Sequence, residues 1–463
     1  MDGWQIDSGR PAPQAIPRRT LFMRVGEWLV ILVLLTSFYV KSEQGQDQPT
    51  PYDIMMAGTV AVMFLLGLRF PRSLGWPAAL WGLVVIGFGI GAVNALYIER
   101  VRPALMVTIY LIGTFLFFAS YVYADPVRRF TQVMWAYTAA AAVAAATGVV
   151  GYFGLLPGAE MFTEFGRATG TFNDPNVFGP FLVAPILFLG LKLSRASSLR
   201  SLWIVAPFGL LVLALLLSFS RGAWGNLLFS GALFFVLTLA TSTSARQTMR
   251  LIGFGILVAL VGIGVIGVAL SNPKVSSLFE ERASLTQSYD IDPEHGRFEG
   301  QARAFRAVLE RPLGLGPSQW AVINNLDTHN VYLHVLVAGG FLSGLAFIAF
   351  LLMTLVRGWR AIGRGGPETG LLIVVYAAFA GHLGEAVIID IDNWRHFYLL
   401  TGLLWGALLA LEARGRAPMQ VHRHEARDGG SDNRSCHFLG QSVRFWLQTA
   451  CAAHVIWRAR VRE

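Results

Sequence analysis

Apolar runs recur twelve times along the 463-residue chain, at 22–40, 54–70, 76–97, 103–123, 130–153, 177–193, 202–219, 222–240, 250–270, 330–356, 369–389 and 395–411. A helix needs roughly 20 apolar residues to cross the hydrocarbon of a bilayer, and every backbone polar group there must bond within the segment. The pattern therefore predicts an all-α polytopic membrane protein with about twelve transmembrane helices. Composition agrees: 54% of residues are hydrophobic, 14% are charged and mean hydropathy is +0.53, whereas a soluble domain carries about 25% charged residues. Residues 1–20 are polar and contain arginine, and no small-residue cleavage pattern follows the first run, which reads as a retained helix.

The net charge of +9 is a matter of orientation, and nucleic acid is not implied. With twelve crossings, both termini and the connections 69–75, 124–129, 192–201, 241–250 and 357–368 share one side. Of the 37 basic residues, 25 fall on that side, the cytoplasmic one by the positive-inside rule. The resulting organisation is a cytoplasmic N-terminus (1–21), helices one to nine (22–270), a long outward loop (271–329), helices ten to twelve (330–411) and a basic cytoplasmic tail (412–463). The tail holds both cysteines, Cys436 and Cys451, which form neither a disulfide framework nor a metal spacing. Within the long loop, "GRFEGQARAFRAVLER" at 296–311 reads as an amphipathic helix with Phe298, Ala302, Phe305 and Leu309 on one face.

Function is sought where charge interrupts this hydropathy. From Ser201 to Ala245 the only charged residue is Arg221, on the outward turn between helices seven and eight. It is either a snorkelling cap or a functional cation. Three companions lie on the same side. The stretch 167–180 holds Arg167 and a turn in which Asn176 suits a helix cap. At 328–334, His329 and Asn330 stand where the long loop rejoins the membrane. At 390–396, Asp390, Asp392 and Arg395 read as a wet interfacial loop. Arg167, Arg221, Arg297 and His329 thus converge on the outer face from distant parts of the chain. Guanidinium groups hold phosphate bidentately and stay charged, and a neutral imidazole accepts a hydroxyl proton. No Asp-x-Asp or histidine cluster with metal-ligand spacing accompanies them, so neither a metal nor any other cofactor is expected.

At these residues the chain resembles the O-antigen ligase and polysaccharide polymerase superfamily of bacterial inner membranes. The resembling stretches are "RATGTFNDPNVFGPFL" (167–182), "LSFSRGAWGNLL" (217–228), "RAVLERPLGLGPSQW" (306–320), "THNVYLHVLVAGGFLSGL" (328–345) and "DNWRHFYLLTGLLWG" (392–406). The resemblance implies a glycosyltransferase fold of the C type. It implies transfer of a glycan from undecaprenyl pyrophosphate to an acceptor hydroxyl, on a saccharide or on lipid A core. By this likeness Arg221 binds the pyrophosphate, His329 is the base or orients the acceptor, and Arg297 and Arg167 are further phosphate-binding arginines. Asn330, Asn176 and Arg395 support them. Members often carry an acid several positions after the His-Asn pair, where this chain has Ala338, Gly339 and Gly340. Two other classes compete: a flippase of lipid-linked oligosaccharide, which would run ionisable groups through helix interiors, and a non-catalytic scaffold. Helix interiors here are nearly free of charge apart from His382 and Glu385, three apart on one face and spaced to pair.

Overall fold

The computed structural model describes residues 21–37, 50–196, 203–271 and 296–416, with positions 273, 276, 277 and 279 between the last two blocks. The N-terminal segment 1–20, most of 272–295 and the tail 417–463, with its two cysteines, lie outside the described residues.

The protein is an all-α, multi-pass membrane protein. Its helices are α1 (Leu21–Ser37), α2 (Pro51–Leu65), α3 (Gly75–Gly91), α4 (Ile98–Ala124), α5 (Arg128–Phe153), α6 (Pro175–Ser194), α7 (Val205–Leu217), α8 (Arg221–Ala240), α9 (Ala245–Leu270), α10 (Arg297–Glu310), α11 (Trp320–Asn324), α12 (Val331–Arg364), α13 (Thr369–Glu385) and α14 (Arg395–Arg416). Each of the twelve apolar runs falls on one of them. Among the described residues eight helical stretches are long and apolar enough to cross a membrane, while α2, α7 and α13 are shorter apolar helices. Large apolar side chains such as Ile86, Met106, Phe229, Ile256 and Ile263 point outward. Water would not tolerate that girdle, but lipid does.

Close packing depends on small residues. α4 lies along α14, where a Cβ on Gly402 would come 2.8 Å from the Phe115 carbonyl and one on Gly406 2.7 Å from that of Ala119. This four-residue spacing of glycines lets two membrane helices touch backbone to backbone. At one end of the bundle four arginines are paired with buried or half-buried acids. Glu27 takes both Arg128 (2.5 Å) and Arg129 (3.0 Å), Arg357 takes Glu412 (2.5 Å), and Arg414 takes Glu368.

At the opposite end α12 is broken. Gly340 has φ 66° and ψ −166° inside the helix, a conformation that side chains other than glycine rarely adopt. The segment 311–316 fills the break. Leu315 N–H donates to the Val337 carbonyl (2.8 Å), Gly316 N–H to that of Ala338 (2.9 Å), and Phe341 N–H to that of Pro312 (3.0 Å). Irregular backbone at membrane depth needs such partners. The Ala338–Gly340 stretch is therefore a seat for the "RPLGLG" loop, and glycine is what fits there.

The helix expected at 296–311 forms as α10, but its apolar stripe does not carry its packing. Ala304 and Val308 are buried with Trp320 of α11 and Val337 of α12, and Gly300 is buried beside Leu326, while Phe298, Phe305 and Leu309 stand more than half exposed.

Candidate active site

The connection after α5 ends in a short ribbon, β1 (Thr163–Glu164) antiparallel to β2 (Arg167–Ala168). Its tight turn, with positive φ at Phe165 and Gly166, sends Arg167 inward, 7% exposed. Arg167 Nε donates to the Ser218 carbonyl (2.7 Å) and Nη2 to Asn176 Oδ1 (2.8 Å). The side chain thus ties the first turn of α6 to the last turn of α7. Asn176 is not the cap of α6: Asp174 is, its carboxylate accepting the Asn176 N–H at 2.7 Å. Asn176 sits one step inside and offers its amide oxygen to Arg167.

Arg221 opens α8. Phe219 takes the chain round with φ 47°, and Ser220 caps the helix, its Oγ accepting the Ala223 N–H (3.3 Å). Arg221 therefore adds a guanidinium to the positive end of a 20-residue helix, and both favour an anion. The next residue, Gly222, faces α13: a Cβ there would lie 2.7 Å from Glu385 Oε1. Glu385 Oε2 accepts Asn226 Nδ2 (2.7 Å), and Ser230 Oγ donates to Asn226 Oδ1 (2.8 Å). The expected pairing of His382 with Glu385 does not form. His382 Nδ1 bonds the Ala378 carbonyl (2.6 Å) and its ring packs against Trp394 and His396, because Asn226 from α8 offers Glu385 a better-placed donor.

The turn at 328–330 is held by Asp390. The carboxylate accepts Thr328 Oγ1 (2.9 Å), the His329 N–H (3.0 Å) and the Asn330 N–H (2.8 Å). Asp390 is thus a structural anchor rather than part of a wet loop. His334 Nε2 lies 3.5 Å from Asp392 Oδ2 on the same patch. Asn330 caps α12, its Oδ1 accepting the Leu333 N–H (3.1 Å). His329 takes φ 46°. Its carbonyl receives Gln301 Nε2 of α10 (3.0 Å), and among the described residues its half-buried imidazole makes no hydrogen bond. The ring is thus available to a substrate.

Gln301 Nε2 also donates to the Val387 carbonyl (3.1 Å), and the Val331 N–H donates to that of Ala386 (3.0 Å). The residues after α13 therefore form a hub. Glu385 touches Gly222 beside Arg221, and Ala386 and Val387 hold α12 and α10 beside His329. Arg297 lies one helical turn before Gln301, on the same side of α10. Trp224, one turn into α8, stacks on Phe279 at 5.5 Å, so residues of the long loop cover the α8 start. Arg221 and His329 thus stand on elements that this hub joins, and Arg297 stands one turn from Gln301.

Arg395 does not join it. Its guanidinium makes a two-pronged pair with Asp53 of α2, Nε to Oδ1 (2.7 Å) and Nη2 to Oδ2 (2.5 Å). Asp53 is buried, so this arginine is engaged in joining α14 to α2. Neither Asn226 nor Gln301 stood out in the sequence, and Asp390 did so only as part of a wet loop. Each is a common polar residue whose partner lies at least 28 positions away, and no local pattern marks such a contact.

Residues 206–348 match the family model described as O-antigen ligase. The matched stretch runs from the start of α7 past the break in α12 and contains Arg221, Arg297 and His329. It leaves out Arg167, Asn176, Glu385, Asp390 and Arg395. No curated protein matches the chain.

Proposed function

From the match of residues 206–348 to the family model described as O-antigen ligase, we propose that the chain is a membrane glycosyltransferase of the O-antigen ligase and polysaccharide polymerase superfamily. It transfers or polymerises a glycan from undecaprenyl pyrophosphate onto an acceptor hydroxyl. The acceptor is a saccharide or lipid A core, and the product feeds O-antigen or exopolysaccharide synthesis. The reaction takes place at the periplasmic face of a bacterial inner membrane that the chain crosses twelve times, with both termini in the cytoplasm.

The observation that carries this reading is the hub after α13, which links the surroundings of Arg221, Gln301 and His329 at one end of the bundle. In the reaction the acceptor oxygen bonds to the anomeric carbon, the bond from that carbon to the pyrophosphate oxygen breaks, and the acceptor proton passes to the His329 imidazole. Pyrophosphate leaves with added negative charge, which Arg221, Arg297 and the start of α8 stabilise. Arg167 supports the site by fixing the α7–α8 turn on which Arg221 sits. Asn330 and Asp390 hold the His329 turn in the same way.

Transport of lipid-linked oligosaccharide is the competing reading, and the buried His382 and Glu385 are what would favour it. Both lie within the last turn of α13 and do not form a path through the bilayer. The deciding experiment is complementation with His329→Ala, with envelope polysaccharide resolved on a gel. Loss of long or lipid-linked glycan at normal protein level supports transfer. Short repeats left on lipid A core mean polymerisation failed, and bare core with polymer retained on its carrier means ligation failed. Unaltered glycan overturns the reading.

A further inference from the structure

α10 has three faces. Gly300, Ala304 and Val308 are buried, the last two beside Val337 of α12, the Phe298–Phe305–Leu309 stripe points outward, and Arg303, Arg306 and Ala307 line a groove of about 380 Å³. Arg311, α11 and the turn between α3 and α4 complete it. Gln301, which holds the His329 carbonyl, lies on a different side of α10, so the groove is separate from the site described above.

The groove has the chemistry of a carbohydrate site with an anionic ligand. Three arginines line it against one acid, Glu310, and a guanidinium binds carboxylate or phosphate with two parallel hydrogen bonds. Trp320 forms part of the wall. It is 6% exposed, and its indole N–H is buried with no acceptor among the described residues. A buried donor left unmade is costly unless something from outside completes it. Asn94 spends its amide N–H on the Gly314 carbonyl (3.1 Å) and Asn324 spends its own on that of Trp320 (3.1 Å). Each keeps a side-chain oxygen that can accept from a hydroxyl. The volume suits a small ligand or one section of a long one.

We propose that this groove binds an acidic section of the glycan, a saccharide bearing carboxylate or phosphate, away from the ends that react. The proposal rests on the transferase reading and adds the substrate class. It makes α10 a divider, with reacting groups on its Gln301 side and a grip on the chain on its Arg303 side. Binding at such a distance holds the glycan without taking part in bond exchange.

The test uses the full chain in phosphatidylcholine nanodiscs. Binding of tetragalacturonate and of glucose 1-phosphate is compared with that of neutral maltotetraose. Expected is at least tenfold tighter binding of an acidic probe, weakening as salt rises. In Arg303→Ala/Arg306→Ala that preference falls by roughly tenfold or more. Trp320→Phe, which keeps an aromatic ring but removes the indole N–H together with part of the ring volume, weakens binding less and guards against misfolding as the explanation. His329→Ala binds the acidic probes like the wild type while transfer is lost. Equal affinity for acidic and neutral probes overturns the proposal, as does a preference that survives the double substitution. A preference that appears only as competition with added phosphatidylglycerol also overturns it and assigns the groove to a lipid headgroup. Absence of transfer by the wild-type chain, with arginine-dependent binding intact, would sink the transferase reading and leave the groove standing.

Discussion

Asn226 of α8 donates its amide to Glu385 of α13 across 2.7 Å, with both side chains buried. This contact joins the helix that begins with Arg221 to the hub that holds the His329 turn. Asn226→Ala removes the donor and leaves a buried carboxyl unmatched, at a cost of about 1–3 kcal/mol. Asn226→Asp sets a second carboxyl against the first and is expected to be worse. Melting temperatures in detergent will rank the two below the parent, in that order.

Asp390 organises the turn that carries His329 through two backbone N–H groups and one hydroxyl. Without it the turn that places His329 at φ 46° is left with the Gln301 bond to the His329 carbonyl and the Asn330 cap. Asp390→Ala is expected to lower transfer about 10²-fold, the scale of losing one well-placed catalytic contact. Asp390→Asn keeps an acceptor oxygen and should lose less. Transfer assayed in membranes, normalised to protein level, checks both.

Arg395 and Asp53 test whether a functional-looking arginine serves the fold. Removing Arg395 alone strands a buried carboxylate, which typically costs about 3–5 kcal/mol. Arg395→Gln should therefore fail to accumulate, and Asp53→Asn/Arg395→Gln should recover much of the loss. A double-mutant cycle on stability measures the coupling. If the double variant accumulates normally yet transfers no glycan, Arg395 has a role in the reaction.

Two glycines should respond to alanine with opposite signs. At Gly340 the backbone has φ 66° and a Cβ would lie 2.2 Å from the Pro312 carbonyl. Gly340→Ala should expel the 311–316 loop and destabilise by about 1–3 kcal/mol or more. At Gly231, inside α8, a Cβ would meet nothing within 4 Å, and Gly231→Ala should stabilise by about 0.5–1 kcal/mol. Thermal unfolding in detergent reads both.

Arg221→Ala should lower transfer about 10²–10³-fold at normal expression. Arg221→Lys keeps the charge without the planar fork and should fall between. Transfer at wild-type rates by the alanine variant would return Arg221 to the status of a cap at the headgroup level.

Hydropathy is a local property, and so the sequence alone determined the helices. Each apolar run satisfies its own backbone bonds and needs no partner to be recognised. The same holds for α10, whose period is set within four residues. The sequence also marked Arg221, Arg297 and His329 as polar residues out of place at one end of apolar segments. What covers a helix face is settled by its neighbours, and there the tertiary structure decided. The Phe298 stripe looked like the packed face of α10, yet Gly300, Ala304 and Val308 pack, Gly300 beneath Leu326 and the other two against Trp320 and Val337. Arg395 looked like part of the site until Asp53, 342 positions away, was seen to hold it. His382 and Glu385 had the spacing of a pair, but Asn226 came from another helix. Contacts of this range leave no trace in local sequence, since any polar residue can make them once the chain has brought it there.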